Sequence, residues 1–109
     1  MAGPITIKLT QPLTNEDLLR RIKNGWDEKK YGTPQTKEVN HKRYLGFPGT
    51  QWITTLVYAE KKKVVVQSMP VNFQVAFTKE GKAQLKYVNR EVLPLIAQGM
   101  REILADILK

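Results

Sequence analysis

Ile5, Ile7 and Leu9 alternate with Thr6, Lys8 and Thr10, the period of two expected of a half-buried strand, and Pro12 ends it. A helix start follows. Thr14 stands where an N-cap accepts from the Asp17 amide, with Glu16 and Asp17 at the positive end of the helix dipole. Leu13 and Leu18 occupy the two positions of a hydrophobic staple across that cap. Leu18, Leu19, Ile22 and Trp26 then form one apolar stripe, and Gly32 with Pro34 supplies the stop.

The stretch 33–51 is less regular. It predicts a strand with one polar face over 37–45 and a turn at Gly46-Phe47-Pro48-Gly49. β-Branched and aromatic residues over 52–59 and 64–69 predict two strands joined by Glu60-Lys61-Lys62-Lys63. Val71, Phe73, Val75 and Phe77 alternate with Asn72, Gln74 and Ala76, which predicts another strand. A turn at Lys79-Glu80-Gly81-Lys82 would lead into a last strand carrying Ala83, Leu85 and Tyr87.

The C-terminal segment predicts a second amphipathic helix, with Val92, Ile96, Met100, Ile103, Leu104, Ile107 and Leu108 on its apolar face. Pro94 fits the first turn, where its missing N–H costs nothing. Gly99 weakens the middle by roughly 1 kcal/mol, a loss that a close neighbour would explain.

These elements predict a single α+β domain over residues 1–109. It has a curved antiparallel sheet of five to six strands with two helices packed on it, in the order β-α-β-β-β-β-β-α. That order is similar, at the level of topology, to a shortened helix-grip fold, the START and Bet v 1-like architecture. The resemblance implies a long C-terminal helix lying across a concave sheet. A cystatin-like sheet wrapped on one helix is the alternative.

The chain has 109 residues, 41% of them hydrophobic, and a formal charge of +8. That composition excludes collagen, coiled-coil rods and full disorder. With no cysteine, disulfides, thiolate nucleophiles, Cys-ligated zinc and iron–sulfur clusters are excluded together. The N-terminal Met1-Ala2-Gly3-Pro4 leads straight into an alternating pattern without the apolar core of a secretory signal. No apolar run approaches the roughly 20 residues of a membrane span. A cytoplasmic protein is the resulting expectation.

Catalytic patterns are missing. The single histidine, His41, is flanked by Asn40 and Lys42, poor company for a metal ion. Glu102 and Asp106 stand four apart on the C-terminal helix without a further ligand. No nucleophile elbow, P-loop, dinucleotide fingerprint or HExxH occurs. A non-enzymatic protein without cofactor or metal is the expectation.

Charge sharpens the picture. Residues 1–28 are neutral, whereas 29–63 hold eight basic and two acidic side chains, six of the eight net charges of the chain. The same stretch carries Tyr31, Tyr44, Phe47, Trp52 and Tyr58. Lysines neutralise phosphate and flat rings stack on unpaired bases, so the mixture suits a nucleic acid or another polyanion. The candidate contacts are Lys42, Arg43, Lys61, Lys62 and Lys63, with Tyr44 or Trp52 stacking. Lysine dominates this stretch, which points to charge attraction more than base reading. A second reading is a carrier of a small apolar ligand, held between sheet and C-terminal helix by Phe73, Val75, Phe77 and Met100. A third is a homodimer assembled through the wide apolar stripe of the C-terminal helix, with Leu93, Leu95 and Leu108 at its margins.

Overall fold

Thr14 caps the first helix as its spacing predicts: its hydroxyl oxygen accepts from the Asp17 amide at 3.1 Å. Leu13 and Leu18 are both buried across that cap. The computed structural model describes residues 3–47 and 49–109, apart from the side chain of Val39. Pro48 of the predicted 46–49 turn, and Met1 and Ala2 of the predicted leaderless start, lie outside the described residues.

Five strands, β1 (Ile5–Lys8), β2 (Gln35–Val39), β3 (Lys42–Phe47), β4 (Ile53–Glu60) and β5 (Lys63–Pro70), make one open sheet. Its order is β1-β5-β4-β3-β2 and every pairing is antiparallel. The α+β class, with a curved antiparallel sheet and helices packed on it, is therefore as expected. The Cα radius of gyration, 13.6 Å, is that of one compact body of this length, about 13 Å. Among the described residues no helix is long and apolar enough to cross a membrane.

Five elements depart from the sequence expectation. Among them is the C-terminal helix, predicted to carry Leu104, Ile107 and Leu108, which ends at Ile103 and is followed by a 3₁₀ turn over Ala105–Ile107 and a bridge from Leu108 to Leu9. The helix predicted to run to Gly32 breaks into α1 (Asn15–Gly25) and α2 (Glu28–Tyr31). Asp27 restarts it, its carboxylate accepting from the Lys29 and Lys30 amides at 3.1 and 3.2 Å. Trp26, left extended between the two, donates its indole N–H to the Gly32 carbonyl at 2.9 Å.

The predicted strand over 37–45 is a hairpin, β2 and β3, turning at Asn40 and His41. Both turn residues have positive φ (52° and 65°), the pattern of a type I′ turn whose twist matches that of the strands.

The predicted strands over 71–77 and 83–87 are helical. Phe73–Phe77 is a 3₁₀ turn, started by the Asn72 carboxamide oxygen accepting from the Val75 amide at 3.0 Å. Thr78 then caps α3 (Lys79–Tyr87), its hydroxyl oxygen accepting from the Gly81 amide at 2.9 Å. Gly81 is thus no turn glycine. A Cβ there would overlap the Val75 carbonyl oxygen, so the glycine lets helix and 3₁₀ turn touch.

From Lys79 the chain stays helical to Ile103, through a π turn (Val88–Val92) into α4 (Leu93–Ile103). Pro94 has no N–H for the Arg90 carbonyl, and its ring would press on that group in a regular helix. The wider π turn directly before it relieves the conflict.

The helices pack on one face of the sheet. Their buried apolar side chains, from Leu18 and Ile22 of α1 to Ile96 and Met100 of α4, join Ile7, Phe47, Ile53, Val57, Val64 and Val66 in one core. Alternation places Tyr44, Leu56, Tyr58, Val65 and Lys63 on the other face, and Leu56 and Val65 stand apart from that core although buried. Gly99 explains itself here: a Cβ would lie 2.7 Å from the Trp26 ring and 2.9 Å from Tyr31.

The apolar-carrier geometry needed Phe73, Val75, Phe77 and Met100 around one cavity, and the structure overturns that arrangement. Val75 and Met100 are core at 3% and 0% exposure, while Phe73 and Phe77 face outward at 79% and 69%. A 3₁₀ turn does not present alternate residues to one side as a strand does, which is why the four separate. Of the residues widening the C-terminal stripe, Leu93 is buried, Leu108 packs on the core and Leu95 stays 39% exposed.

Candidate functional site

A meander puts alternate turns at the same end of its sheet. The β2–β3 turn at Asn40 and His41 and the β4–β5 turn at Lys61 and Lys62 therefore lie side by side. The end of β1 joins them, since Lys8 is registered against Lys63. So does the C-terminus, where the Lys109 amide donates to the Lys8 carbonyl at 3.1 Å. Lys8, Lys42, Arg43, Lys61, Lys62, Lys63 and Lys109 thus gather at one end, with Glu60 and Glu38, the latter registered against Arg43, as acidic neighbours. Lys63 reaches Glu60 at 3.8 Å, an exposed pair that contributes little stability.

The Lys61–Lys62 tip is held from below. Leu13 donates its amide to the Lys61 carbonyl at 3.0 Å, and Leu9 donates to the Lys62 carbonyl at 2.8 Å. Lys61 has a positive φ of 54°. Both side chains stay exposed on a pinned backbone.

Between the two tips the sheet splits. The β3–β4 ladder pairs Phe47 with Thr55, Gly46 with Leu56 and Leu45 with Val57, and stops there. Continued, the register would pair Arg43 with Ala59. The Asn15 carboxamide from the first turn of α1 takes that place instead: its oxygen accepts from the Ala59 amide at 2.8 Å, and its nitrogen donates to the Arg43 carbonyl at 3.4 Å. Beside this wedge Tyr44 and Tyr58 meet edge to face, ring centres 5.3 Å apart.

The parted strands leave a cleft of about 310 Å³, walled by Asn15, Lys42, Arg43, Tyr44, Tyr58 and Glu60. Burial, then Glu60 and Tyr44, push the Tyr58 phenol above its ordinary value, so it stays a protonated donor at neutral pH. A second depression of about 200 Å³ lies further along the open face, between Gln35, Lys37, Gly46 and Thr54. The Lys37 methylenes separate the two by lying over Gly46, where a Cβ would meet them at 2.9 Å.

The residues singled out from sequence divide. Lys42 and Tyr44 share the open face and the cleft, while Arg43, one residue away, projects to the helix side beside Leu19 and Leu45. Lys61, Lys62 and Lys63 form the adjoining tip. Trp52 is elsewhere. It precedes β4 at the opposite end, about 20 Å from Tyr58, packed half-buried on the core with its carbonyl accepting from Val71.

Lys29 and Lys30 also leave the cluster. They lie on α2, where Lys30 approaches Glu102 at 3.9 Å. The Tyr31 hydroxyl donates to that same carboxylate at 2.5 Å, which raises the phenol above its ordinary value.

Asn15, Tyr58, Lys8 and Lys109 were not among the candidates. Tyr58 stands on β4 just before the Lys61–Lys62 turn, within the same lysine-rich stretch, whereas Asn15, Lys8 and Lys109 reach the site only through the placement of distant elements. His41 stands exposed at the hairpin turn, and among the described residues no three His, Asp or Glu side chains cluster as metal ligands. No protein-family model, curated protein or solved structure matches this chain, and its own geometry carries the functional reading.

Proposed function

We propose that the protein binds nucleic acid, in single-stranded form, at the hairpin-tip end of the sheet, and does so without catalysis. The observation that carries this reading is the convergence of two lysine-bearing hairpin tips around a cleft walled by two tyrosines. Lys42 lines the cleft, and Lys61, Lys62, Lys63, Lys8 and Lys109 lie at the same end of the sheet, as point charges for phosphate oxygens. Tyr44 and Tyr58 offer rings and hydroxyls to an unpaired base. Glu60 accepts from an exocyclic amino group of that base, as carboxylates do with cytosine.

The chemistry favours attraction over sequence reading. Arg43 is the lone guanidinium among these cations, and bidentate base recognition prefers arginine. A duplex presents its bases stacked and offers the cleft nothing to admit, so single strands bind more tightly than duplex of the same length.

Fluorescence anisotropy with a labelled single-stranded oligonucleotide tests this. About four phosphate contacts give a slope near −3 for log affinity against log salt, and each of Lys61→Gln and Lys62→Gln reduces it by about 0.7. Absence of association at low salt, or slopes unchanged in both variants, would falsify the reading.

A further inference from the structure

We propose that the far end of the molecule is an anionic-lipid contact, in which Phe73 and Phe77 enter the bilayer interface while Lys79, Lys82 and Lys86 of α3 lie over its headgroups. The two phenylalanines are 79% and 69% exposed, and Val71 beside them is 50% exposed. Exposure of that size on two large apolar rings marks a contact surface rather than scattered surface apolarity. The rings touch each other, centres 5.0 Å apart at 65°, so they protrude together as one wedge. Their backbone is fixed on both sides: Asn72 caps the 3₁₀ turn, and the Thr78 hydroxyl donates to the Val75 carbonyl at 3.0 Å.

Charge selects the occupant. Lys79, Lys82 and Lys86 recur at spacings of three and four on α3, all exposed, on the side away from the buried Gly81 and Val88. An anionic bilayer complements apolar wedge and basic helix together, and needs no pocket shaped to receive them. A second copy of the chain would bring the same lysine row against itself. A nucleic acid would meet the lysine row but offers no apolar phase to take up Val71 together with the two rings. Each signal alone gives only weak attachment to a membrane, and here two stand on consecutive elements. The surface is separate from the hairpin-tip cleft, because β5 spans the sheet between Lys63 and Pro70, about 23 Å.

The absence of cysteine permits a direct test, since one introduced thiol labels uniquely. The full chain carrying a polarity-sensitive dye at Val71→Cys, or at Lys62→Cys, is mixed with vesicles of phosphatidylcholine alone or with phosphatidylserine added. The expected result is association with the phosphatidylserine vesicles only, with a blue shift at position 71 and none at position 62. In co-sedimentation, Phe73→Ser with Phe77→Ser weakens binding by about tenfold or more, and Lys82→Gln with Lys86→Gln by a similar factor. No association, a shift at 62 equal to that at 71, or binding unaffected by the paired serine substitution overturns the proposal. So does a dimer in light scattering that the serine variant dissolves, which would make the wedge a self-contact. The readouts at Val71, Phe73 and Phe77 do not depend on the nucleic-acid cleft.

Discussion

Gly81 and Gly99 both lie in helices, and each is there for what stands opposite. A methyl on Gly81 meets backbone, the Val75 carbonyl oxygen, whereas one on Gly99 meets the Trp26 and Tyr31 rings. Backbone between two caps has nowhere to move. Gly81→Ala therefore costs about 3 kcal/mol, and Gly99→Ala about 1 kcal/mol after its gain in helix propensity, read from denaturant melts. Equal or stabilising effects would contradict the packing.

His41 gives the opposite case. With φ at 65° in the hairpin turn, it pays a steric penalty that glycine avoids, so His41→Gly stabilises by roughly 0.5–1 kcal/mol. At Asn15 both ends of the carboxamide bridge separated strands. Asn15→Ala leaves the Ala59 amide and the Arg43 carbonyl without that partner and costs about 1–2 kcal/mol.

At the scale of elements, α1 is tied to the C-terminal segment by one ion pair. Arg21 donates to both Asp106 carboxylate oxygens at 2.6 and 3.0 Å and to the Ile103 carbonyl at 3.1 Å. The Arg21 hydrogen bonds hold the Asp106 carboxyl below its ordinary value. A carboxyl lowered on folding adds stability that is complete above its unfolded pKa, near 3.9, and is lost as pH falls through the folded value. Asp106→Asn therefore flattens the loss of stability below about pH 5, and a melting series across acid pH measures it. Asp17, lowered chiefly by the Thr14 hydrogen bond, keeps its share of that loss.

Elements marked by several independent signals were legible in the sequence. The start of α1 has cap, staple, acidic first turn and apolar stripe together, and the structure keeps all four. The β4–β5 hairpin and the close approach at Gly99 were legible in the same way. The elements after Pro70 were not. Val71, Phe73, Val75 and Phe77 alternate by chance, since only Val75 is buried. The better signal was the spacing of Gly81, Leu85, Val88, Val92 and Ile96, steps of three and four that continue one helical face into α4. At Asn40-His41 no glycine marks the turn, so two short strands look like one.

Over the whole molecule, the excess positive charge is a property of topology as much as of sequence. The stretch 29–63 holds most of it, yet Lys29 and Lys30 go elsewhere, and Lys8 and Lys109 arrive from distant parts of the chain. Periodicity showed which residues share a face. It did not show that two hairpin tips, a helix start and the C-terminus share one end. That juxtaposition needs strand order, which long-range pairing sets.

The most direct test of the central claim is an amide chemical-shift map of the isotopically labelled protein during titration with a short single-stranded oligonucleotide. The account predicts fast-responding shifts at Lys8, Asn15, Lys42, Tyr44, Tyr58 and Lys62, with Trp52, Lys29 and the 71–95 segment unmoved. Shifts centred on the 71–95 segment, or none anywhere at low salt, would contradict it.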